Sequence, residues 1–82
     1  MNDQERGQKL ASLAACKRIA EGAYDRLYEV HSSSDATACY SDAKEALYDA
    51  IGLARQLELA DEVEAIEKRL AHIKAVFRSQ FS

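Results

Sequence analysis

The stretch Val63-Glu64-Ala65-Ile66-Glu67-Lys68-Arg69-Leu70-Ala71-His72-Ile73-Lys74-Ala75-Val76-Phe77 decides the fold. Val63, Ile66, Leu70, Ile73 and Phe77 recur at alternating steps of three and four, which lines them along one face of an α-helix. Good helix formers (Glu, Ala, Lys, Arg) fill most positions between them. Just upstream, Asp61 is placed to cap the free N–H groups of the first turn, with Glu64 reaching back as in a capping box. A helix with one apolar face must bury it against something, so the rest of the chain is read for its partners.

Two further seams lie upstream. Tyr40, Ala43, Leu47, Ala50, Ile51 and Ala54 share one helical face; so do Leu13, Ala20, Tyr24, Leu27 and His31, with Leu10 and Tyr28 alongside. The pattern breaks at His31-Ser32-Ser33-Ser34-Asp35, where short polar side chains compete for backbone hydrogen bonds, and more weakly at Leu59-Ala60-Asp61. Helices are predicted near residues 5–31, 35–58 and 61–79, the second capped by Ser34 or Asp35. Connections this short make neighbours antiparallel, so the expected fold is all-α: a single domain over residues 1–82, an antiparallel up-down-up three-helix bundle. Frequent alanine on the seams predicts close helix axes, with Gly22 and Gly52 as candidates for further close contact.

Composition agrees with one small core. With 82 residues, 48% hydrophobic and 30% charged, the chain is too apolar for a disordered tail and too short for two domains. A domain of this size buries only somewhat over 60% of its unfolded surface, so it leans on well-packed helices or on a partner. No apolar run approaches the roughly 18 residues of a membrane span, and Met1-Asn2-Asp3-Gln4-Glu5 lacks the basic and apolar regions of a signal peptide. The cytoplasm is the expected compartment, with no membrane partner.

Few residues suggest chemistry. Cys16 and Cys39 fall roughly eleven residues out of register in a hairpin turning near residue 33, about 16 Å along the axis, far beyond disulfide reach. His31 could approach Cys39, which frames a metal-dependent activity, but His72 belongs level with about Leu47, so four zinc ligands do not converge. The Ser, His and Asp types of a nucleophilic site crowd into residues 31–35, where adjacent residues point in different directions. Three isolated glycines build no phosphate loop. Asp42, Glu45 and Asp49 form a carboxylate stripe opposite Leu47 and read as a solvated face. Neither an enzyme, a metal nor a cofactor is expected.

Charge is unevenly spread: nine acids against two bases over residues 32–67, then four bases and no acid over 68–82. The basic end, with Phe77 and Phe81, frames a competing class, a nucleic-acid-binding regulator using Lys68, Arg69, Lys74 and Arg78. Helical angles put Lys74 and Arg78 on one flank, Arg69 on the other and Lys68 behind, which builds no single cationic groove. Acids early and bases late in the third helix also complement its dipole.

Helix association remains. Ile19 and Val30 lie beside the first seam, Leu53 and Leu57 beside the second and Val76 beside the third. Burying Ile19, Leu53 and Val76 in a second chain, each contributing about 1.5–3 kcal/mol when fully covered, would make the protein a homodimer or a small adaptor.

Tyr40, Ala43, Leu47, Ala50 and Ile51 resemble the second helix of a tetratricopeptide unit, or the matching helix of the microtubule-interacting-and-trafficking type of three-helix domain. Both families dock peptides or helices in grooves between helices, which is what the resemblance implies for this chain. It covers about twelve residues of a generic small-large pattern. The chain departs from the tetratricopeptide pattern at His31 and Ser34, where the preceding helix should carry Gly and Tyr, so no residue roles carry over. The whole chain also resembles small bacterial helical-bundle proteins, which implies no activity.

Overall fold

In a computed structural model, which describes residues 2–30 and 32–81, the chain folds as three helices: α1 (Asp3–Leu27), α2 (Ser33–Gln56) and α3 (Ala60–Phe81). Each starts or stops where a local hydrogen bond decides it. Asn2 caps α1 by accepting the Glu5 N–H at 2.8 Å, and Ser32 caps α2 by accepting the Asp35 N–H at 3.1 Å. The α2 cap therefore lies two or three residues before the expected Ser34 or Asp35, and α1 ends at Leu27 rather than near residue 31.

The turn into α3 corrects the sequence reading further. Glu58 adopts the left-handed conformation, φ 58°, and the N–H groups of Glu58 and Leu59 return to the carbonyls of Arg55 (3.0 Å) and Ala54 (2.9 Å). This is the Schellman pattern, here built on a residue other than glycine. It lets α3 start at Ala60, so Asp61 sits inside the first turn as a charge complement to the dipole and does not cap the helix.

The helices run up, down and up, giving an elongated body of 46 × 19 × 13 Å. They are not equivalent. The backbones of α1 and α2 approach most intimately, α3 packs on α2, and α1 meets α3 mainly through long side chains. Alanine explains the asymmetry: Ala20, Ala23, Ala36, Ala43, Ala46, Ala50 and Ala54 are all buried, and all belong to α1 or α2, where small side chains let the two axes approach.

The core holds the expected Leu13, Tyr24, Leu27, Leu47, Ile51, Ile66, Leu70 and Ile73, with Tyr40 and Val63 packed half-buried against it. Leu57, placed beside the seam by its angle, is instead among the most buried side chains, because the turn that follows folds α3 back over it. Leu10 and Tyr28, expected alongside the first seam, are exposed. His31 lies outside the described residues, and with it the expected seam position, the His31–Cys39 pair and the Ser-His-Asp run. Gly22 and Gly52 mark no close approach: a Cβ at Gly22 would meet only the Arg26 side chain at 3.7 Å, and one at Gly52 nothing within 4 Å. Among the described residues no helix is long and apolar enough to cross a membrane.

Candidate functional site

Two faces of the α1/α2 pair carry different chemistry. On the inner side, α3 covers the pair and polar groups stitch α1 to α3. Arg69 donates to Glu21 through Nε (2.7 Å) and a terminal nitrogen (2.6 Å), while Lys17 pairs with Glu62 one level down. The Arg69 guanidinium also lies 4.5 Å from the Tyr24 ring centroid. The Tyr24 hydroxyl hydrogen-bonds Tyr28 Oη at 2.6 Å and His72 Nε2 at 3.1 Å. Its hydrogen bond to Tyr28, with burial second, raises the Tyr24 phenol above its ordinary value, so it stays protonated at neutral pH. The hydrogen bond from Arg69 holds the Glu21 carboxyl below its usual range. Tyr, His, Arg and Glu side chains thus converge, but on one another: this is a clasp between α1 and α3.

The cations of the basic C-terminal segment are dispersed. Arg69 faces α1, Lys74 reaches α2 to donate to the Tyr48 hydroxyl at 3.0 Å, and Lys68 pairs with Glu64 on the outward side. Phe77 is engaged in a flat stack with Tyr40, centroids 4.1 Å apart, with Lys44 poised 4.4 Å from the Tyr40 centroid. This aromatic ring is committed to packing.

The outer side of the α1/α2 pair has no third helix over it. A hollow of about 240 Å³ runs there between Cys16, Ile19 and Arg26 of α1 and Asp42, Glu45, Ala46 and Asp49 of α2. A second hollow of about 440 Å³ shares Cys16 and Asp49 and continues past Tyr48 and Gly52 to Leu53 and Gln56. Together they form one groove. Helical spacing builds it: Cys16 and Ile19 stand one turn apart on α1, and Ala46, Asp49 and Leu53 follow each other by three and four along α2. The floor is small because Ala46 and Gly52 are small, and the open space over Gly52 is part of the groove. Ile19 stands 56% exposed at its edge.

Of the residues singled out for partner binding, Ile19 lines the first hollow and Leu53 the second. Val76 stands elsewhere, on the α3 flank it shares with Arg69 and His72, half-buried against the core. The acidic stripe falls where its angles put it, opposite Leu47, but this face is the rim of the groove. None of the ion pairs among the described residues uses Asp42, Glu45 or Asp49. Burial first, then the Asp49 charge, pushes the Cys16 thiol up, so it is a poor nucleophile at neutral pH. Cys16 and Cys39 are both free and half-buried.

Sequence reasoning treated the stripe and the marginal apolar residues separately. The signal that joins them is angular: at 3.6 residues per turn, Ala46 and Leu53 lie within about 60° of Asp42 and Asp49, on the same side of α2. The chain matches no family model, no curated protein and no solved structure.

Proposed function

We propose that this protein is a non-catalytic helical interaction module that works through the outer groove of α1 and α2. The observation that carries the reading is Ile19, a large aliphatic side chain left half in water beside an open hollow whose opposite wall includes Ala46 and Asp49 and which continues along α2 to Leu53. Covering the exposed part of Ile19 alone contributes about 1 kcal/mol, and a helix laid in the groove would cover Leu53 as well. A competing role in nucleic-acid binding gains no support from the cations, three of which are engaged on three different faces.

The reading is tested by placing a photo-activatable amino acid at Gln56, exposed at the end of the groove, and irradiating the protein at high micromolar concentration and in extract of its native cell. An adduct with a second chain that disappears in Ile19→Asp is the expected result. A protein that scatters light as a monomer throughout and gives no Ile19-dependent adduct refutes it.

A further inference from the structure

Resting on that reading, we infer that the occupant of the groove is a basic amphipathic helix from another protein, with lysines or arginines flanking its apolar face. Charge decides the class of partner. The groove is walled by three carboxylates, Asp42, Glu45 and Asp49, against the single guanidinium of Arg26. Its continuation past Asp49 adds only the neutral Tyr48, Gly52, Leu53 and Gln56. A second copy docking through the same face would bring one acidic rim against another, since a two-fold interface pairs a patch with itself. A partner bearing positive charge meets three carboxylates that no ion pair among the described residues already satisfies.

Geometry narrows the partner further. Asp42, Glu45 and Asp49 span two turns of α2, about 10 Å along its axis at 1.5 Å per residue. A helix lying alongside meets all three if its own cations recur at steps of three and four along one flank. Its apolar side chains, at the same period, fall over Cys16, Ile19, Ala46 and Leu53. The groove runs from Asp42 to Gln56, so an occupant of about four turns fills it. The small floor at Ala46 and Gly52 suits a partner that inserts large aliphatic side chains between α1 and α2.

The test uses two synthetic helical peptides of about 18 residues. They share one leucine face and differ only in whether lysine or glutamate flanks it. Binding to the full chain is read by fluorescence anisotropy and mapped by amide chemical shifts. The lysine peptide is expected to bind saturably, to shift residues around Ile19, Ala46, Asp49 and Leu53, and to weaken as salt is added. The triple variant Asp42→Asn, Glu45→Gln, Asp49→Asn, altered only at exposed positions, is expected to lose about tenfold in affinity, as three screened ion pairs allow. The glutamate peptide is expected not to bind. Equal binding of the two peptides, shifts confined to α3, or an unchanged affinity in the triple variant overturns the inference. If neither peptide binds but the chain forms a dimer that Ile19→Asp dissolves, the occupant is a second copy: this inference falls and the interaction reading stands. If neither binds and the chain is monomeric whatever residue 19 is, both fall.

Discussion

Replacing Glu58 with glycine should make this protein more stable, although Glu58 lies outside every groove and hydrophobic contact described above. Its φ of 58° holds an L-residue in the left-handed region, where Cβ crowds the following carbonyl oxygen at a cost of about 1–2 kcal/mol. Glycine removes that cost. It also gives the unfolded chain more freedom, which returns about 0.4–1 kcal/mol, so the net gain is about 0.5–1 kcal/mol. The hydrogen bonds of the turn are made by backbone groups of Glu58, Leu59, Arg55 and Ala54 and survive the substitution. For a domain of this size the gain raises the melting temperature by about 3–6 °C. Glu58→Ala separates backbone from charge: it removes the carboxylate, which sits unfavourably at the end of α2 and favourably before α3, but keeps the strain. Thermal unfolding followed by circular dichroism should therefore rank glycine clearly above both alanine and glutamate. If the glycine and alanine variants melt together, the backbone at residue 58 stores no strain and the account of the α2–α3 turn is wrong.

Two further outcomes test the clasp and the groove. Glu21 has its carboxyl lowered by the hydrogen bond from Arg69, so its pair stabilises the fold above the unfolded carboxylate range and is lost as pH falls through the lowered folded value. Glu21→Gln should cost about 0.5 kcal/mol at neutral pH, discounted because both side chains are partly in water, and the difference from wild type should close in acid; a gap that ignores pH in urea titrations contradicts the pairing. In the groove, burial and then Asp49 raise the Cys16 thiol, so Asp49→Asn should speed alkylation of Cys16 at neutral pH in a Cys39→Ser background; an unchanged rate would place the Asp49 carboxylate away from the thiol.

The seams were legible because burial of an apolar face at helical period leaves a regular trace. Ile66, Leu70 and Ile73 are buried as their spacing requires, and Leu13, Leu27, Leu47 and Ile51 answer them from the other two helices. The ends were less legible, because they depend on which of several capable residues takes the hydrogen bond. Ser32, Ser33, Ser34 and Asp35 can all cap a helix; Ser32 does so here, with the Ser33 carbonyl accepting from Thr37 one turn on. At the second turn the misleading signal was chemical. Asp61 followed by Glu64 has the composition of a capping box, while the helix start was set upstream by Glu58 in a conformation its residue type disfavours.

The groove was half legible for a different reason. Angles along one helix place Ile19 outside the first seam, and Asp42, Glu45 and Asp49 opposite Leu47, but a single-helix reading cannot tell an outward face from the wall of a cleft. That distinction depends on where the third helix lies. Ile66, Leu70 and Ile73 bury the apolar face of α3 on the inner side of the hairpin, with Arg69–Glu21 and Lys17–Glu62 at its margin, and this placement leaves Cys16, Ile19, Ala46 and Leu53 along an open groove. The same placement separates Val76 from Ile19 and Leu53, since the α3 flank that bears Arg69 and His72 also bears Val76. The charge asymmetry of the sequence then takes on spatial meaning: Arg69 and Lys74 are directed to the clasp and to α2, and Lys68 to Glu64 of its own helix, while Asp42, Glu45 and Asp49 of α2 are left along the open groove. A partner complementary to this protein should therefore be sought by its positive charge and helical period.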